Sequence, residues 1–330
     1  MNSYTVPPSS PRTLEASFMW FKNLVFYRFT RPFDLEAEAL ATQLEQHRFG
    51  PCRAQELSRY GWTSPMAKLS EQLVHSGNGC LLICAQKEEK ILPASVIRDF
   101  LNERVALIEA EQDRKVRKKE KDELKDEIII DLLPKAFSRY QHTHAYIDPK
   151  LGLLVVDASS AKRAEELCSY LRQTLGSLPV SIPALNHAPT SIMTSWLREE
   201  QSMPTGFELG DESELKDPSE NGATLRCKQQ DLLGDEMRPH LDAGKMAVKL
   251  ALDWRNSCRM ILSEDLILRR LKFADTLLDQ AADAGTADAA AAFDADFYLL
   301  TETLGKLIPE LLEALGGENQ EAYQSAITPS

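Results

Sequence analysis

The segment from Ser95 to Leu133 constrains the fold more than any other part of this 330-residue chain. Pro93 and Ser95 open a helical pattern there, and Pro134 ends it. Read as one helix it spans about 55 Å, too long to be buried in a domain of this size. Val96, Phe100 and Ile108 give it an apolar side only near its beginning. The segment is therefore expected to project from the body, as one helix or as a hairpin broken near the basic run that follows.

That run, Arg114 to Lys125, is unusual in a chain of formal charge −12. On a continuous helix Arg114, Arg117, Lys118, Lys121 and Lys125 share one side. Glu120, Asp122, Glu123, Asp126 and Glu127 fall mostly elsewhere. Lys115 and Lys119 lie off the stripe, within i,i+4 reach of Glu111 and Glu123. The sorting predicts an uncompensated cationic ridge, and a polyanion is its natural partner. The competing reading is a solvated charged helix.

A chain this long has room for two or three domains and a substantial core. Apolar content of 43% and charged content of 27% are ordinary for a water-soluble globular protein. No apolar run approaches the length of a membrane span, and Met1–Ser17 has no signal-peptide centre. Cys52, Cys80, Cys84, Cys168, Cys227 and Cys258 show no CxxC spacing, which predicts reduced thiols in the cytoplasm. With so acidic a composition, any nucleic acid must be met by basic residues gathered in one place.

Residues 1–17, rich in Pro and Ser and without periodicity, are expected to be disordered, and order is expected from Phe18 onward. A strand-like period covers Lys22–Thr30, and a helix with Leu40 and Leu44 on its inner side covers Leu35 to about His47. Gly77-Asn78-Gly79 predicts a tight turn into a buried strand, Cys80–Ala85. Strands follow at Ala145–Asp148 and Leu153–Asp157, then a helix over Ala161–Leu175 stopped by Gly176. Residues 201–222 read as a connection, and Ala281–Ala292 as a loop or weak helix. Val248, Leu250, Leu252 and Trp254 alternate with polar or small residues. With Cys258–Leu262 and Leu266–Phe273 they predict an antiparallel meander. The last helix runs from about Asp294 to Leu315, apolar at Phe297, Leu300, Leu304, Leu307, Leu311 and Leu315, kinked at Pro309 and ended by Gly316-Gly317. Helices and strands in separate blocks make the class α+β.

Catalytic motifs are scarce. There is no P-loop, no GxGxxG between a strand and a helix, no HExxH and no GxSxG. His142 and His144 share a strand face without a third ligand nearby in sequence. Asp294 and Asp296, with Asp157, form the rival reading of a metal-dependent nuclease, against which Asp294 serves as a helix cap. No cofactor is expected. Further cations stand outside the helix: Arg226 and Lys228 beside Gln229 and Gln230, Lys245 and Lys249 at i,i+4, and Arg269, Arg270 and Lys272 on the meander. Gathered in one groove, they would suit phosphate. Phe137, between cations after the helix stop, reads as core, as a subunit contact, or as a base-stacking residue.

Several blocks together resemble the bacterial recombination-associated RdgC family. They are Met19-Trp20-Phe21-Lys22-Asn23-Leu24, Lys87–Pro93, Leu132–Arg139, Lys249–Trp254, Arg270–Phe273 and Phe293–Phe297. The match runs in register from Met19 to about Glu318, which makes residues 1–18 an extension and Met19 a candidate initiator. The resemblance implies a nucleoid-associated protein that binds single- and double-stranded DNA with little sequence preference. It further implies two curved subunits closed into a ring around DNA, and restraint of the recombinase RecA. Carried over by position, Arg114 and Lys118 belong to the part that closes the ring, Phe137 supports the subunit contact, and Lys228 to Gln230 face DNA. Relatives tend toward Lys-Lys-Gln where this chain has Lys228-Gln229-Gln230, so its affinity should depend less steeply on salt.

The expectation is then a curved multi-domain α+β homodimer without enzymatic activity. Residues 19–90 with 143–185 form a central domain, 91–142 a projecting tip, and 186–330 a C-terminal base. A third reading is a protein-only module whose basic helix grips an acidic partner.

Overall fold

Both faces of the first sheet are covered, and its sequence shows it. The computed structural model describes residues 20–199, 202–219, 222–284 and 288–327; the expectations for residues 1–18 and for Met19 lie outside them. Strand β1 (Val25–Phe29) is buried at every position but Arg28, as a strand packed on two sides must be. After α1 (Ala37–Glu45) and β2 (Ser58–Thr63), β3 (Val74–Gly77) turns into β4 (Cys80–Ile91). The turn residues Asn78 (φ 51°) and Gly79 (φ 71°) are both left-handed, as a two-residue hairpin of this hand requires. Helices α2 (Ala94–Gln112) and α3 (Lys118–Leu132) follow, then β5 (Phe137–Asp148), β6 (Leu153–Val156), α4 (Ala161–Leu175) and β7 (Val180–Ser181).

These strands make one antiparallel sheet of order β2-β4-β5-β6-β1-β7, with β3 joining β2 along the same edge of β4. On one face Val25, Tyr27 and Phe29 pack with Leu40, Leu44 and Trp62 beneath α1 and α4. Gly61 is needed there because a Cβ would stand 2.5 Å from the Phe49 backbone. Phe26, Leu82, Tyr146 and Val155 face the other way, into a core shared with the second half of the chain.

That half holds α5 (Pro189–Arg198), β8 (Phe207–Lys216), β9 (Thr224–Lys228), α6 (Arg238–Asp242), β10 (Met246–Trp254), β11 (Cys258–Ser263) and β12 (Leu268–Phe273). Helices α7 (Asp275–Ala284), α8 (Ala289–Ala314) and α9 (Gln320–Ile327) close it. The sheet order is β12-β11-β10-β8-β9, all antiparallel. Helix α8 buries Phe297, Leu300, Leu304, Leu307 and Leu311 in the shared core. Phe297 lies edge-on to Tyr146 of the first sheet, and Glu310 accepts the Trp254 indole N–H at 2.8 Å.

Two expectations need correction, and one open alternative is decided. Residues 207–216 are not part of a connection but the strand beside β10 in the second sheet, its inward side marked by buried Phe207, Ser213 and Leu215. The last helix begins five residues early, and Asp288, not Asp294, caps it by accepting the Ala291 N–H at 2.8 Å. The Ser95–Leu133 segment is two helices, broken where Asp113 turns left-handed (φ 46°). Neither α2 nor α3 contains a buried residue. The pair leaves and rejoins the first sheet at the far end of the β4–β5 ribbon, whose last register pair is Ile91 with Phe137.

Candidate nucleic-acid interface

Strand β8 lies between β9 and β10, so period two brings three strands' charges to one face. The register sets Glu212 opposite Lys228, and Glu214 opposite both Arg226 and Lys249. Ser213 and Leu215 take the other face and are buried. With Arg269 and Arg270 from β12 these side chains line a groove of about 300 Å³. Five cations, Arg226, Lys228, Lys249, Arg269 and Arg270, meet two carboxylates there.

Both carboxylates are engaged. Glu212 takes Arg270 as a fork, at 2.9 and 2.7 Å. Glu214 Oε2 accepts from Lys249 Nζ at 3.0 Å and from Arg226 Nε at 3.1 Å. The Arg270 fork holds the Glu212 carboxyl below the usual range. Burial pushes Glu214 up, but the Lys249 and Arg226 bonds outweigh it and its carboxyl is also low. Both therefore stay ionised at neutral pH. Lys228 is exposed and makes no ion pair among the described residues.

The groove continues along the sheet into a larger one of about 960 Å³. Gln229 (φ 52°), Gln230, Arg259, Arg270 and Lys272 line it, against the carboxylates of Glu208, Asp211, Glu212, Asp231 and Asp253. Its charge is thus the opposite of its neighbour's. Gln230 is tied down by Glu236, 2.9 Å from its amide nitrogen. Lys245 bonds His240 Nδ1 at 3.0 Å and lines neither groove. Sequence reasoning found the cations; it missed Glu212 and Glu214, hidden in what read as a connection.

The helical hairpin carries its own cations. Lys118, Lys121 and Lys125 are exposed on α3. Arg114 lies in the connection and Arg117 at the α3 N-cap, so the five do not form a stripe on one helix. Nor is Arg114 uncompensated: Glu120 takes its guanidinium at 2.6 and 2.8 Å. Lys119 reaches Glu123 as expected (3.9 Å), whereas Lys115 pairs with Glu109 rather than Glu111. Glu109 also accepts the Val116 N–H at 3.0 Å and so pins the turn, with Val116 buried beneath it. At the ribbon's end Phe137 is 85% exposed, with Ile91 and Tyr140 also exposed on the same ribbon.

The candidate metal ligands do not assemble. Asp294 stands 3.3 Å from His75 Nε2, while Asp296 accepts the Trp20 indole N–H at 3.1 Å. Asp157 accepts the backbone N–H groups of Lys22 and Asn23. Burial raises its pKa, and those two bonds only partly offset the rise. His144 is pushed down to about 4, chiefly by burial and then by His142. Among the described residues no three His, Cys, Asp or Glu side chains are grouped to hold a metal ion.

A family model described as "Putative exonuclease, RdgC" matches residues 19–318. The chain belongs to the RdgC family. The recombination-associated protein RdgC of Aeromonas hydrophila is 50% identical over 302 residues, covering 92% of this chain and 99% of the relative. Those of Tolumonas auensis and Yersinia pestis are 49% identical over 303 and 302 residues, again 92% of this chain and 100% and 99% of theirs. The curated RdgC relatives are thus named for recombination, while the family description names an exonuclease. No helix among the described residues is long and apolar enough to cross a membrane.

Proposed function

We propose that this chain binds single- and double-stranded DNA without regard to sequence, and that two copies close into a ring around it. The observation that carries the reading is the convergence of Arg226, Lys228, Lys249, Arg269 and Arg270, far apart in sequence, on one groove of an acidic protein. Phosphate contacts of this kind confer affinity without reading bases. Negative charge elsewhere keeps the protein soluble, and a cationic lining attracts the duplex.

In this reading α2 and α3 form a projecting tip, residues 19–90 with 143–185 the central domain, and residues 186–330 the base. Phe137 anchors the subunit contact at the tip, since an aromatic side chain this exposed is what a partner surface would cover. Lys118, Lys121 and Lys125 lie beside the closure, and Lys245 and Lys272 extend the field. The protein acts in the cytoplasm on the nucleoid and restrains RecA by occupying DNA. It does so without hydrolysing DNA: the structural contacts of Asp157, Asp294 and Asp296 support this over the nuclease reading.

Enclosure has a direct test. Protein loaded at low salt on a nicked circular plasmid and then challenged with high salt is retained; on the same DNA linearised it slides off. Equal loss from both forms contradicts the ring.

A further inference from the structure

We propose that Glu212 and Glu214 are built-in competitors for phosphate, which set the affinity of the groove and keep bound DNA exchangeable. The proposal rests on the reading of the groove as a DNA site. Three of the five lining cations are already occupied by these two carboxylates: Arg270 by Glu212, and Arg226 with Lys249 by Glu214. The Arg270–Glu212 fork is the geometry by which a guanidinium holds a phosphate oxygen pair. A phosphodiester entering the groove must displace a carboxylate to gain those donors. Arg269 is paired with Asp265 at 3.4 Å, and among the described residues only Lys228 of the five meets it without an ion pair.

The arrangement is not an incidental surface pairing. The carboxylates come from the strand between two cationic strands, directly across from Arg226, Lys228 and Lys249 in register. Their side chains keep only 25% and 18% of their exposure. Both stay ionised well below neutral pH, so no physiological change of pH releases the cations. DNA itself is then the competitor that opens the site. Replacing the acids by isosteric amides frees the cations without changing the packing of β8.

The test compares wild type with the double variant Glu212→Gln, Glu214→Gln by fluorescence anisotropy of a labelled random-sequence duplex across a salt series. Glu45→Gln on α1, which removes one charge away from the groove, is the control. The double variant is expected to bind about tenfold tighter, with a log–log salt slope steeper by about one to two units as one or two more phosphates are engaged. The control moves little. Thermal unfolding checks that all three fold. Wild-type binding with a double variant no tighter than the control overturns the proposal alone and makes the carboxylates mere supports for the cations. No binding by wild type at low salt overturns the DNA reading and this proposal with it.

Discussion

At the scale of single residues, exposure separates what holds the fold from what stays open to a partner. Phe137 and Phe297 are the clearest contrast, 85% and 0% exposed. Phe297→Ala should cost about 3–5 kcal/mol in urea unfolding, because α8 cannot collapse into the space left behind. Phe137→Ser should leave the subunit's unfolding free energy within about 0.5 kcal/mol of wild type, while sedimentation velocity should show loss of the proposed dimer. An unchanged dimer would remove Phe137 from the interface. Gln229 lines the larger groove with a left-handed backbone, next to Lys228; Gln229→Lys should steepen the salt slope of DNA binding by about 0.9 if the new charge reaches a phosphate. His144 has a folded pKa of about 4, below its ordinary 6.5. The unfolded chain therefore takes up its proton first as pH falls, and stability is lost between about pH 6.5 and 4. His144→Gln should flatten that part of the curve of urea midpoint against pH.

At the scale of elements, legibility followed how locally each signal is written. The bounds of α4 could be read directly, because Ser160 caps it and Gly176 stops it with φ 74°. The inward side of β10 and the apolar stripe of α8 were equally plain, since one face of each meets a continuous core. Strand β8 was not legible. Its acids at 208, 211, 212 and 214 look like a solvated linker, and only the folded sheet shows what neutralises two of them: Lys249 from the adjacent β10, Arg226 from the adjacent β9, and Arg270 from β12. The sequence leaves the break at Asp113 as one option of two, because the Glu109 bonds that pin the turn join residues six and seven apart and follow no helical period. In the candidate site the sequence supplied the cations but neither their convergence nor their counter-charges, both of which depend on sheet register. Asp294 is not the cap for a simpler reason: Asp288, six residues upstream, already accepts the Ala291 N–H in the first turn.

At the scale of the molecule, the proposed function requires a chain of net charge −12 to close around DNA through its cationic groove and the exposed Phe137 end of the β4–β5 ribbon. Its central claim is that the attraction is electrostatic and indifferent to sequence. The most direct measurement is the anisotropy of a labelled random-sequence duplex titrated with wild-type protein over a salt series, repeated with Lys118→Glu, Lys121→Glu. The account predicts a linear fall of log affinity with log salt, equal for unrelated sequences, and weaker binding with a shallower slope for the charge-reversed protein. No binding at low salt, or binding that salt does not weaken, would contradict it.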